Sequence, residues 1–175
     1  MKNVHGKVWK YGDNINTDVI IPGRFTPEEL TGEKPKEVAK KAALVDLDPD
    51  FPKKVNDGDI LLVGENFGCG SSRENAVIVL KDAGVGGIIA KSFANIFFRN
   101  AINNCMPIAI SSEAYEVISN GDEVRFDPET SIIENLTTGK TIKGKKMSPY
   151  FLEIMNEGGI IKYIEKRYDF TKLKN

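Results

Sequence analysis

The 175 residues carry 41% hydrophobic and 28% charged side chains with a net charge of -1, the balance of a globular chain able to bury roughly 70% of the surface its unfolded form exposes. That charge leaves no basic excess for a nucleic-acid backbone, and no apolar run approaches the roughly 18 residues that cross a bilayer. Two cysteines, Cys69 and Cys105, and a single histidine, His5, are too few for a disulfide framework, a zinc site or a histidine-activated nucleophile. Any chemistry therefore needs part of its site supplied from outside the chain. The polar start MKNVHGKVWKYGDN lacks the hydrophobic segment of a signal peptide, which sets the expectation of a cytoplasmic protein.

In chain order, Val4 to Tyr11 alternates as a strand and ends in the turn-rich GDNINTD; DVIIP then reads as a short buried strand. Pro22, Gly23, Pro27, Gly32 and Pro35 punctuate a polar stretch from Pro22 to Lys36, which predicts a long loop. Glu37 to Leu44 has helical spacing, and Asp46 to Asp57, rich in Asp and Pro, predicts another loop. Asp59 to Val63 is an apolar run of the kind buried on both faces of a parallel sheet.

From there strands and helices alternate: a loop from Gly64 to Gly70, helix Ser72 to Ala83, strand Gly87 to Ala90, helix Phe93 to Asn103, strand Pro107 to Ile110 and helix Ser112 to Ser119. Such alternation predicts parallel strands. Short strands follow at Glu123 to Phe126, Ser131 to Asn135 and Thr141 to Ile142, then helices at Pro149 to Asn156 and Gly159 to Arg167. With no repeat, low-complexity tract or linker, residues 1–175 predict a single α/β domain with mixed parallel and antiparallel strands.

The chemistry concentrates in GENFGCGSSRENAV, Gly64 to Val77. Ser71 with Glu74 three positions on, ahead of an apolar run, fits a capping box. A cap alone leaves unexplained the second serine, the glycines at 68 and 70, and Arg73 at the positive end of a helix dipole, a disfavoured place for a cation unless an anion joins it. Free first-turn amides, two hydroxyls and a guanidinium make a carboxylate or phosphate receptor. The GxxxxGK[ST] spacing of a Walker loop is absent. Phe93, Phe97 and Phe98 have the spacing of core residues, and Cys69 reads as a small packed side chain.

GENFGCGSSREN, with GDNINTDVIIPGRF before it, AKSFANIFFRNAINNCMPI after it and FLEIMNEGGIIKYI near the end, resembles the small subunits of 3-isopropylmalate dehydratase, free-standing equivalents of the swivelling domain of aconitase. The resemblance runs in one order over most of the chain. It implies a single swivelling β/β/α domain, like the aconitase C-terminal domain, that isomerises a hydroxy-dicarboxylate by removing and re-adding water in leucine biosynthesis. The 4Fe-4S cluster is implied to sit in a partner large subunit, so this chain binds no cofactor, Cys69 and Cys105 bind no iron, and activity needs a hetero-oligomer.

The resemblance further implies Ser71 as the base that removes a proton beside a carboxylate, with Ser72 and Arg73 binding that carboxylate. Asp18 matches the aspartate near the serine, and Arg24 is a second carboxylate contact at the start of the loop that selects the substrate. Three departures stand out. Asn75 replaces a histidine after SSRE, Asn95 replaces an arginine after SFA, and Thr26 and Pro27 follow PGRF where relatives carry an apolar contact. Homoaconitate or 2,3-dimethylmalate therefore remain alternative substrates, and a carboxylate-binding module without catalysis is the alternative from another class.

Overall fold

Strand β1, Val4–Lys10, is the seam of the sheet: its second half pairs in parallel with β2, Ile60–Val63, and its first half pairs antiparallel with β5, Glu123–Asp127. The computed structural model describes residues 3–25 and 35–168. Together with β3 (Gly87–Ala90), β4 (Ile108–Ile110), β6 (Ile132–Asn135) and β7 (Lys140–Lys143), these strands form a seven-stranded sheet ordered β4-β3-β2-β1-β5-β6-β7. The β4 to β1 half is parallel and the β1 to β7 half antiparallel.

The apolar strands explain the layering. All four residues of β2 and of β3 are buried, because alternate side chains enter opposite cores. Leu61, Val63, Ile88, Ala90 and Ile108 face the layer built from helices α2 (Pro35–Ala42), α4 (Glu74–Asp82), α5 (Asn95–Asn103) and α7 (Pro149–Asn156). Ile60, Leu62, Ile89 and Ala109 face the other side, against helix α6 (Ser112–Val117) and the apolar face of the antiparallel half, Val124, Phe126, Ile133 and Ile142. Helix α8 (Ile160–Arg167) closes the described chain against α7 and α5. No helix among the described residues is long and apolar enough to cross a membrane.

Two expected elements differ. DVII folds as a one-turn helix, α1 (Thr17–Ile20), because the Asn16 side chain accepts the Val19 amide hydrogen at 2.9 Å and caps it. The stretch expected as a loop from Asp46 to Asp57 contains α3, Phe51–Lys54. Proline in its first turn costs no hydrogen bond there, and fully buried Phe51 anchors it against Trp9 and Tyr11. The long loop expected from Pro22 to Lys36, with Thr26 and Pro27, lies largely outside the described residues, and α2 already begins at Pro35.

Candidate functional site

The loop that leaves β2 at its C-terminal end is pinned from both sides. On one side, the Gly68 amide donates to the Ile15 carbonyl at 2.8 Å and the Thr17 amide donates to the Cys69 carbonyl at 2.9 Å. On the other, the Phe67 amide donates to the Ser92 carbonyl at 3.1 Å, and the Ala94 amide returns a bond to Phe67 at 2.9 Å. GDNINTD and KSFAN are thus the two walls between which GENFGCG is held, which gives three distant segments one shared physical task.

Gly64 and Gly68 serve packing before they serve any ligand. A side chain at Gly64 collides with the Asp13 carboxylate, whose Oδ1 accepts the Glu65 amide at 2.7 Å. Gly68 has φ of +76° and lies against the Phe97 ring, so neither a β-carbon nor its backbone strain fits there. Phe97 is buried, with Phe67 edge-on at 5.0 Å and Phe93 stacked at 6.1 Å, in line with the core role its spacing suggests.

The expected capping box does not form. Helix α4 starts at Glu74, its N-cap is Arg73, and no side chain caps it. The reason lies at the Ser71 carbonyl, which accepts the Arg73 amide at 2.9 Å and the Thr17 hydroxyl at 3.0 Å. Spent on these donors, it does not open a helix, and Ser71 and Ser72 stay outside α4. Glu74 instead accepts from the Asn104 side chain at 2.9 Å. Among the described residues, the amides of Gly70, Ser71, Ser72, Glu74 and Asn75 find no acceptor and the two serine hydroxyls find no partner. Five free N–H groups and two hydroxyls at the start of a helix are donors of the kind an anion can use.

Arg73 stands beside them. Its guanidinium pairs with Asp18 of α1 at 2.9 Å and reaches the Ile21 carbonyl at 3.5 Å. The fold therefore brings together Asp18, Ser71, Ser72 and Arg73, from segments more than fifty residues apart. A pocket of about 380 Å³ opens next to them, lined by Ile21, Gly23, Phe25, Ser72, Arg73, Glu74 and Asn75. One wall is polar and cationic; the other is made by Gly23, the half-buried Phe25 and the almost fully buried Ile21.

Arg24 is placed differently. It makes a two-point bond to Asp46 at 2.7 and 2.8 Å, and its guanidinium lies 5.2 Å from the Phe25 ring centre. The hydrogen bond to Arg24 holds the Asp46 carboxyl below its ordinary range and raises the guanidinium in turn. Nearby, Tyr11 donates to Asp48 at 2.9 Å, and burial first, then that carboxylate, drives its phenol far above its ordinary value. Asn75 lines the pocket, whereas Asn95 is the exposed first residue of α5.

Among the described residues no three His, Cys, Asp or Glu side chains group as metal ligands. Both cysteines are free thiols; Cys105 points its Sγ at the Met155 carbonyl, 3.4 Å away, and burial raises its pKa. This donor set does not fit an iron–sulfur cluster. A second pocket, of about 240 Å³, lies along the β4 edge between Phe98, Met147 and Phe151, away from the serines.

Sequence reasoning missed Asn16, Thr17 and Asp13, which hold the loop, and Ile21 and Phe25, which wall the pocket. The available signal was the density of short capping residues in GDNINTD, which marks side chains that bond to backbone groups.

Residues 10–113 match the aconitase C-terminal domain family. The chain is 50% identical over 164 residues to the 3-isopropylmalate dehydratase small subunit of Caldanaerobacter subterraneus, covering 94% of this chain and 99% of that protein. It is 46% identical, again over 164 residues, to the isopropylmalate/citramalate isomerase small subunit of Methanocaldococcus jannaschii, covering 94% and 95%. The crystal structure of a 3-isopropylmalate dehydratase from the same archaeon superposes with a TM-score of 0.85 at 40% identity, covering 99% of this chain and all of that one, 100%.

Proposed function

Because the chain belongs to the aconitase C-terminal domain family, and within it to the small subunits of 3-isopropylmalate dehydratase, we propose that Ser71 is the base of its hydro-lyase reaction and that Ser72 and Arg73 bind the substrate carboxylate. The protein is one half of an enzyme that interconverts 2-isopropylmalate and 3-isopropylmalate by dehydration and rehydration in leucine biosynthesis. It works as a single swivelling domain in the cytoplasm, and a large subunit completes the site and carries the 4Fe-4S cluster.

The observation that carries this reading is the convergence, beside one pocket, of Arg73 with two hydroxyls and five amides that are unbonded among the described residues. A serine hydroxyl accepts a proton poorly at neutral pH unless its oxyanion is favoured. The guanidinium and the positive end of α4 favour it. As the proton leaves the carbon next to the carboxylate, the electron pair moves toward that carboxylate, and the same donors stabilise the growing charge. Asp18 fixes the guanidinium plane, so Arg73 presents its remaining N–H groups in one orientation. Arg24 serves as a second carboxylate contact at the loop's start, released from Asp46 when substrate enters.

The apolar wall speaks to the substrate. The Phe25 ring suits an alkyl branch such as isopropyl, and desolvates without compensation the extra carboxylate arm of homoaconitate. The smaller branch of 2,3-dimethylmalate or citramalate fits the same wall with less buried area, at about 0.8 kcal/mol per methylene lost.

The test is anaerobic reconstitution with the large subunit, then turnover on a panel of branched malates. Isopropylmalate should be the best substrate, and Ser71→Ala should lower kcat by about 10²–10⁴-fold while assembly and melting temperature stay unchanged. Full turnover by the alanine variant overturns the base assignment. Carboxylate binding with no turnover on any malate would leave a binding module.

A further inference from the structure

We propose that Thr17 is a positioning residue for Ser71, holding the serine outside helix α4 so that its hydroxyl and the amides around it stay free for substrate. The inference rests on the reading of Ser71 as base. Thr17 is 2% exposed and sits in the first turn of α1. Its amide donates to the Cys69 carbonyl at 2.9 Å and its hydroxyl donates to the Ser71 carbonyl at 3.0 Å. One buried residue therefore grips two carbonyls on either side of Gly70.

The consequence is directional. A carbonyl drawn toward α1 turns the N–H of its own peptide the other way, which aims the Gly70 and Ser72 amides away from α1, and among the described residues these amides have no acceptor. The Ser71 carbonyl is also the group that α4 would otherwise take as the acceptor for the Asn75 amide one turn earlier. With the Thr17 hydroxyl and the Arg73 amide both on it, the helix begins at Glu74. Removing the hydroxyl donor leaves that carbonyl open to the Asn75 amide, lets α4 grow backward through Arg73 and Ser72, and carries the serines away from their present positions. The Gly70 position leaves room for this grip, since even a β-carbon there would stand 3.7 Å from the Thr17 hydroxyl. The Thr17 hydroxyl is spent on the Ser71 carbonyl, so it acts through Ser71.

Thr17→Val keeps the shape and removes the donor, while Thr17→Ser keeps the donor. In the reconstituted enzyme the valine variant should lose about 10–100-fold in kcat with KM within about threefold, the signature of a misplaced reacting group. The serine variant should stay within about threefold of the parent. In the free chain, hydrogen exchange at the Arg73 amide should change by at least about tenfold in Thr17→Val, with Leu62 and Ile89 of the sheet unaffected. If the valine variant does not fold, Thr17→Cys, a weak donor the size of serine, takes its place with the same expectation. Parent-like kcat, an equal loss in Thr17→Ser, or sheet exchange that changes as much as Arg73 overturns the proposal. If Ser71→Ala keeps its turnover, the base assignment falls instead, and Arg73 exchange still decides whether the grip exists.

Discussion

The two ends of β2 are built on opposite principles. At its N-terminal end Asp59, 4% exposed, accepts from the Trp9 indole at 2.9 Å, the Asn56 amide at 3.0 Å and the Lys7 amide at 3.2 Å. At its C-terminal end Asp18, with 56% of its side chain exposed, holds one guanidinium, while the Gly70, Ser71, Ser72, Glu74 and Asn75 amides and the two serine hydroxyls bond to nothing among the described residues. The first end meets three donors with the protein's own carboxylate. The second leaves donors open, and unmet hydrogen-bonding capacity beside a pocket is what a substrate can use. Ligands of open α/β sheets bind at the carboxyl ends of the strands for this reason: the turns into helices there present free N–H groups.

The sharpest way to break this contrast is to remove the charge at the open end. Arg73→Gln should lower kcat/KM of the reconstituted enzyme by about 10²–10³-fold, the loss typical of one donor that stabilises developing charge. Its thermal stability should hardly move, because the guanidinium is partly exposed and its ion-pair partner among the described residues, Asp18, is exposed too. A fall in melting temperature matching the fall in activity would make the open end structural after all.

The converse substitution is Asp59→Ala. It strands the Trp9, Lys7 and Asn56 donors in a half-buried place and should cost about 2 kcal/mol of stability. The kcat of the folded fraction should remain that of the parent, since the carboxylate lies at the far end of β2 from the serines. Chemical denaturation gives the first quantity and turnover well below the melting temperature gives the second. Equal damage to kcat would mean that the two ends are coupled through the strand.

Local pattern made most of the fold legible. Gly87–Ala90 and Pro149–Asn156 fall on the expected residues, because apolar runs and proline-led helices depend on near neighbours alone. DVII misleads for the opposite reason: its aliphatic residues favour a strand, and the single Asn16 cap turns them into a helical turn. SSRE misleads more deeply. Nothing in those four residues reveals that the Ser71 carbonyl is claimed by Thr17, 54 positions away. The resemblance placed Ser71, Ser72, Arg73 and Asp18 in one site, and the fold does gather them; it also sets Arg24 against Asp46, a pairing between exposed residues that no periodicity encodes.

That last pair gives the smallest effect and the finest test of the contrast. Asp46 sits below the ordinary carboxylate range, first through its hydrogen bond with Arg24 and then through charge attraction, with desolvation opposing both. A depressed folded value means that the pair contributes fully above the unfolded carboxylate pKa of about 3.9 and is lost as pH falls through the folded value. Between pH 5 and 8 it therefore stays constant, and any activity change in that window must come from elsewhere. Carbon-detected NMR titration of the Asp46 carboxyl should show the depressed value in the parent and its return to the ordinary range in Arg24→Gln. Because both groups are about half exposed, 1 M salt should raise the parent's value as well. A value already ordinary in the parent would detach Arg24 from Asp46 and free it for substrate from the outset. Asp59, shielded from solvent, should keep its hydrogen bonds under the same salt, so the two carboxylates separate a screened hold on the site's edge from an unscreened hold on the fold.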